Sequence, residues 1–172
     1  MRGLSPAIFV ASALASTHAL AQYENRALAL SVGYAALHLA PDTVHGIGAG
    51  LGWINYIDGG FEWTANADAM LLAEPNAAGN IVGVSGGPGL RYLFLQESIR
   101  PWVGLALSYL LLFESDQSSS HVGLGPSAGL DVFLTRQISL GLKGRVDFYV
   151  ALRDPIDLRT SFGAALVGSS WF

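Results

Sequence analysis

The sequence predicts an all-β protein, an eight-stranded antiparallel up-and-down transmembrane β-barrel. Three observations predict it. Eight segments alternate apolar with small or polar residues at the period of a strand. Charged residues make up 13% of the chain, about half of the roughly 25% usual for soluble domains, while hydrophobic residues reach 51%. Finally, the stretch GLKGRVDFYVAL, Gly141 to Leu152, sets Lys143, Arg145 and Asp147 on one side of a strand and Leu142, Val146, Phe148 and Val150 on the other.

The chain opens with Arg2, an apolar run from Pro6 to Ala15, and Ala19 and Ala21 at the small-residue positions expected before signal-peptidase cleavage. Residues 1–21 therefore read as a signal peptide and residues 22–172 as one barrel domain of about 150 residues. That domain holds no run of 18 apolar residues, and its best candidate, Val103 to Phe113, covers about half of a helical span. Insertion as a helix is not expected. The chain has no cysteine, which excludes a disulfide framework, a thiolate metal site and a lipid carried on an N-terminal Cys. Removing Arg2 with the signal takes the net charge from −4 to about −5, which argues against nucleic acid as a partner.

The strands are justified in order. Arg26 to Leu39 sets Leu28, Leu30, Val32, Tyr34 and Ala36 against Ala29, Ser31, Gly33 and Ala35. Gly46 to Ile57 alternates Ile47, Ala49, Leu51 and Trp53 with glycines and stops at Asp58-Gly59, a strong hairpin signal. Gly60 to Leu72 sets Phe61, Trp63, Ala65, Ala67 and Ala69 against Glu62, Thr64, Asn66 and Asp68, a second face that no soluble core explains. Asn80 to Leu95 alternates Val82, Val84, Leu90 and Tyr92 with Gly83, Ser85, Gly87 and Arg91; Ile99 to Phe113 alternates Val103, Leu105, Leu107, Tyr109 and Leu111 with Trp102, Gly104, Ala106 and Ser108. Val122 to Thr135, Ile138 to Ala151 and Leu158 to Phe172 complete an even count. The connections DGG, QES and RQ are tight, whereas APDTVH, AEPNAAG, ESDQSSS and RDPID are longer and rich in turn formers. Pro88 and Pro126 fall inside two strands and are expected to mark bulges; an extra residue inserted at either would invert the parity of Arg91 or Asp131 beyond it.

Energy selects the face that meets lipid, because an Arg or Lys on it at the bilayer midplane costs roughly 2–4 kcal/mol. Lys143 and Arg145 must point inward. The same parity fills the lumen with Glu62, Asp68, Asp131 and Asp147 and with Arg91, Lys143, Arg145 and Arg159, so that acids and bases balance. If tight turns set the register, Asp131 sits opposite Lys143 and Glu62 opposite Arg91. Outward aromatics fall into two girdles: Phe61, Trp63, Tyr92, Phe94 and Phe172 near the tight turns, and Tyr34, Tyr109, Phe113, Phe148 and Phe162 toward the loops.

A signal peptide, eight amphipathic strands and the terminal strand SFGAALVGSSWF, ending on Phe172, together resemble the small outer-membrane β-barrel proteins similar to the OmpA membrane domain and OmpX. The resemblance implies export across the inner membrane, residence in the outer membrane, and recognition of the last strand and its Phe172 by the barrel assembly machinery. Outer-membrane lipid is the implied partner, and a monomer is expected.

An eight-stranded barrel is just wide enough for side chains to fill, so the charged lumen is expected to be a plug rather than a pore. The function expected is a structural or surface-interaction role without catalysis, and no cofactor is implied. The alternatives are a narrow pore and a lipid-modifying enzyme, since some barrels of this size act on lipid A by acyl transfer or deacylation. Candidate residues for that chemistry are His121 beside Ser118, Ser119 and Ser120, with Glu114 and Asp116, and His45 near Asp42. His38, His45 and His121 lack the local spacing of a metal site, and GIGAGLG precedes a hairpin rather than a helix, unlike a phosphate loop. A soluble lipocalin-like barrel would need the opposite polarity, with charges outside.

Overall fold

The computed structural model describes residues 25–73, 80–114, 117–151 and 158–172. The expected signal peptide lies outside the described residues, as do most of the AEPNAAG and RDPID connections and Asp116. Eight antiparallel strands follow one another: β1 (Arg26–Leu39), β2 (Asp42–Asp58), β3 (Phe61–Ala73), β4 (Asn80–Leu93), β5 (Ile99–Glu114), β6 (Gln117–Phe133), β7 (Ile138–Ala151) and β8 (Leu158–Trp171). Each pairs with its neighbours in the chain, and β8 returns to β1, as at Leu30–Gly168 and Tyr34–Ala164. The sheet thereby closes and leaves no edge whose N–H and C=O groups would face hydrocarbon.

Two strands begin four or five residues before their expected limits. β2 begins at Asp42 rather than Gly46, leaving Ala40 and Pro41 between it and β1, and β6 begins at Gln117 rather than Val122. Ladder pairing belongs to the backbone, so a hairpin continues past the stretch in which side chains alternate. Ser118, Ser119, Ser120 and His121 accordingly lie on β6 and not in a flexible loop. The Asp58-Gly59-Gly60 turn follows expectation: Gly59 and Gly60 have φ of 60° and 89°, and the Asp58 carboxylate accepts from Gly59 N–H at 2.7 Å.

The expected bulges at the prolines are absent. Between β4 and β5 the register is the same before and after Pro88, with Gly86 opposite Tyr109 and Gly89 opposite Ala106. Between β6 and β7, Leu124 faces Phe148 and Ser127 faces Arg145, again without a shift across Pro126. Both prolines lie on the outward parity, so each ring projects from the wall and its missing N–H interrupts one ladder locally. The parity of Arg91 and Asp131 is preserved. A register shift does occur, between Tyr56 and Asp58 at the tight turn.

Outward and inward faces differ as the energetics require. Along β7, Leu142 and Phe148 are 60% and 56% exposed, whereas Asp147, on the opposite parity, is 5% exposed. The outward aromatics form contacts within the turn-end girdle, Phe61 with Tyr92 at 5.0 Å and Trp53 with Phe172 at 5.6 Å between ring centroids. The lumen is layered rather than polar throughout. Ala27, Ala29, Ile54, Phe133 and Trp171 form an apolar layer at the turn end, and Leu37, Val44, Leu72, Leu110, Leu112 and Tyr149 belong to another at the loop end. The ion-paired side chains of Glu62, Arg91 and Asp131 and of Asp68, Arg145 and Asp147 lie between them.

A Pro88→Ala barrel regains one donor, worth about 0.5–1.5 kcal/mol, but also frees its unfolded chain by about 0.4–1 kcal/mol. Urea titration in lipid vesicles is therefore expected to place it within about 1 kcal/mol of the parent. A loss several times larger would mean that the proline shapes the wall.

Candidate functional site

The middle of the lumen is built from β3, β4, β6 and β7, whose inward residues carry the charges. Glu62 faces Arg91 across the β3–β4 ladder, and their side chains are ion-paired and hydrogen-bonded. Arg91 also reaches Asp131 of β6, Nη1 to Oδ2 at 3.2 Å, and its guanidinium lies 5.1 Å from the centre of the Trp102 ring. All three charged residues are buried. Farther toward the loops, Arg145 of β7 contacts Asp147 (Nη2 to Oδ1, 2.6 Å) and crosses to Asp68 of β3 (3.4 Å). The same guanidinium donates to Ser108 Oγ at 2.6 Å, and Ser108 and Ser161 donate to the two Asp147 oxygens at 3.2 and 3.3 Å.

One expected pairing is corrected. Asp131 stands opposite Gly141, and Lys143 opposite Gly129. The link between β6 and β7 is not a two-residue RQ turn but the four residues Leu134 to Gln137, in which Thr135 Oγ1 accepts from Gln137 N–H and Ile138 N–H at 3.2 and 3.0 Å. That longer turn displaces the register, and Asp131 turns to Arg91.

Glycines make the room. A Cβ on Gly50 would overlap the Asp68 carboxylate, one on Gly125 the Asp147 carboxylate, and one on Gly141 would sit 2.5 Å from Asp131 Oδ1. Gly50–Asp68 and Gly141–Asp131 are ladder partners, so these carboxylates lie over bare backbone on the next strand. Lys143 projects between two lumen cavities of about 90 and 50 Å³ and lines both. The larger is bordered by Ser31, Asp68 and Ser161, the smaller by Asn66, Arg91 and Asp131. Each exceeds the roughly 10–15 Å³ that one water requires.

Arg159 lies away from this cluster, at the loop end, 3.5 Å from Glu114. Sequence reading missed Arg100, which is buried at the turn end with its guanidinium 4.3 Å from the centre of Phe133 and 5.5 Å from that of Trp171. The signal was present: Arg100 shares the parity of Trp102, already placed inside.

The serine, histidine and acid candidates do not converge on one face. His121 is fully buried on the inward side of β6, between Leu110 and Ala151 in the ladders, with Ser119 on its parity and Ser118 and Ser120 on the other. His38 and His45 project outward from β1 and β2. No cluster of three metal-ligating side chains occurs among the described residues.

Solved structures match this architecture over most of their length. Neisserial surface protein A superposes with a TM-score of 0.72 at 16% identity, covering 86% of this chain and 97% of that one. The chain has the fold of the small eight-stranded outer-membrane β-barrels. The outer-membrane enzyme PagL matches at 0.61 and 17% identity (85% and 99% covered), and the Yersinia pestis attachment invasion locus protein Ail, in complex with a heparin analogue, at 0.56 and 12% (86% and 98%). No family model and no curated protein matches the sequence. An enzyme and an attachment protein thus share this backbone, and activity must be argued from side chains.

Breaking a buried ion pair costs about 3–5 kcal/mol, and Arg91→Met, which strands both Glu62 and Asp131, is expected to lose that much in urea titrations. Glu62→Gln leaves Arg91 with Asp131 and should lose less, by about 1 kcal/mol or more. Equal losses would remove Asp131 from the cluster.

Proposed function

We propose that this chain is an integral outer-membrane protein with a structural or surface-interaction role, monomeric, its lumen plugged by charged side chains. The observation that carries the reading is the bridging of the lumen at two levels, by Glu62, Arg91 and Asp131 and by Asp68, Arg145 and Asp147. Apolar layers above and below support it, because a water path would have to cross Leu37, Leu72 and Leu110 at one end and Phe133 and Trp171 at the other. Outer-membrane residence after export is supported by the outward wall of Leu, Val and aromatic residues and by the nature of the solved structures that share the fold.

Phe172 is proposed as the signal read during assembly. It is exposed, its N–H donates to Arg26 C=O at 2.9 Å, and its ring packs edge-on against Trp53, so the last residue sits on the outer wall at the closing seam. Catalysis is not part of the proposal, since His121 is sealed inside the barrel.

In planar bilayers the purified protein is expected to give no single-channel steps, and cells expressing it should show unchanged lipid A masses. Discrete conductance would replace the plug with a pore, and a mass shift abolished by His121→Ala would replace the structural role with an enzyme. Phe172→Ala is expected to lower the heat-modifiable, folded fraction in the outer membrane of cells while leaving refolding into detergent unaffected; an unchanged cellular fraction would detach Phe172 from assembly.

A further inference from the structure

Arg26 opens β1 on the parity of Leu28, Leu30 and Val32 and is exposed, so its guanidinium belongs to the lipid-facing wall. Apart from Asp58 in the hairpin turn, the other charged residues of the described strands take the inward parity. An outward Arg costs roughly 2–4 kcal/mol at the bilayer midplane and about 0–1 near the interface, so Arg26 marks the headgroup level on the tight-turn side. The backbone fixes what stands beside it. Phe172 N–H donates to Arg26 C=O at 2.9 Å and Arg26 N–H to Phe172 C=O at 3.3 Å, while Asn55 is its ladder partner on β2. Among the described residues the Arg26 guanidinium has no carboxylate partner, in contrast to Arg91, Arg145 and Arg159.

The wall beside Arg26 is indented. A groove of about 370 Å³ runs among Leu30, Val32, Leu140 and Leu166. Its floor is Gly168, which pairs with Leu30 on one side and Leu140 on the other, so two leucines rise on either side of a position without a side chain. One outward step along β8 toward the rim, Ser170 stands between Leu28 and Ile138 and keeps the slot shallow and open as far as Phe172, the ladder neighbour of Arg26. At about 3.3 Å per residue and a tilt of about 40°, Leu30 lies roughly 10 Å below Arg26 and Val32 roughly 15 Å, half of a hydrocarbon core about 30 Å thick. The groove therefore occupies the depth of the acyl chains in the leaflet whose headgroups meet Arg26.

We propose that the closing seam of the barrel binds an anionic phospholipid of the tight-turn leaflet, its phosphate on the Arg26 guanidinium and one acyl chain in the groove floored by Gly168. The fork of a guanidinium matches two phosphate oxygens, and an unpaired cation at headgroup level is complementary to a phosphodiester. The slot along Gly168 and Ser170 admits a chain where the rest of the wall presents Leu, Val and aromatic side chains. Phosphate and chain together select a phospholipid, since the cation alone would hold any anion and the groove any alkyl chain. The inference rests on the outward wall meeting lipid, which heat-modifiable migration of the detergent-solubilised barrel reports separately.

The test is native mass spectrometry of the purified barrel in detergent with dipalmitoyl phosphatidylglycerol, or with dipalmitoylglycerol, which has the same chains and no phosphate. The parent is expected to retain the phospholipid about tenfold better than the glyceride, and Arg26→Gln to reduce that preference to about twofold or less. Gly168→Leu is expected to weaken retention of both lipids; its Cβ would meet Leu140 at an ordinary 3.8 Å, so the backbone tolerates it. Sodium phosphate at the lipid concentration should displace nothing. In vesicles, phosphatidylglycerol carrying a diazirine midway along one chain should label residues 28–32, 138–142 and 166–170 in preference to the rest of the wall. Equal retention of the two lipids by the parent, unchanged preference in Arg26→Gln, unchanged retention in Gly168→Leu, displacement by inorganic phosphate, or labelling spread evenly around the barrel would each overturn the proposal. Variants that keep heat-modifiable migration but lose binding separate this site from the barrel itself.

Discussion

The structure depends on one constraint: a strand that crosses hydrocarbon can carry a charge on only one of its two faces. Placing an ion on the lipid side costs several times thermal energy, so each charged residue fixes the parity of its whole strand. Lys143 and Arg145 fix β7, Arg91 fixes β4, and Asp68 fixes β3. Once parity is fixed, the remaining features follow as consequences. The outward positions take Leu, Val and aromatic residues, and the inward ones must find partners for every charge in a space too narrow for bulk water.

Partner geometry then explains the glycines. A short Asp side chain leaves its strand and lies across the wall before it can meet an arginine from elsewhere in the lumen. At Gly50 and Gly141 the residue opposite the Asp has no Cβ to block it, and Gly125 makes the same accommodation for Asp147. Glu62 faces Tyr56 instead and reaches Arg91 on the other neighbouring strand. The two arginines differ in what surrounds them. Arg91 packs over Trp102 among buried acids, while Arg145 works through Ser108, and Ser161 steadies the Asp147 that it holds.

Much of this was legible in the sequence, and the rest was not for identifiable reasons. Parity is local: residues two apart share a face whatever happens elsewhere, so the inward placement of Glu62, Asp68, Arg91, Lys143, Arg145 and Asp147 could be read from alternation and one energetic argument. Register is not local, because it depends on how many residues a turn consumes. The Thr135-centred turn takes four where two were expected, and Asp131 therefore meets Gly141 rather than Lys143. Glu62 and Arg91 escaped this error although six residues between their strands lie outside the described set. Boundaries failed at Asp42 and Gln117 because pairing outlasts amphipathicity. The prolines were read as bulges because a missing N–H breaks the ladder, whereas an outward proline can leave the register intact.

The same parity rule decides what chemistry is available at the rim. In a strand, neighbours in sequence point to opposite sides, so the run Ser118-Ser119-Ser120-His121 divides between wall and lumen and cannot act as one surface group. His121 goes inside, where Leu110 lies beside it; His38 and His45 go outside. Among the described rim residues, the carboxylates Asp42 and Glu114 take the inward parity of their strands, opposite to the outward imidazoles. A histidine that activates a nucleophile is itself oriented by a third group. Here Nδ1 of each outward imidazole meets a hydroxyl instead, Tyr34 for His45 and Thr43 for His38, which orients the ring.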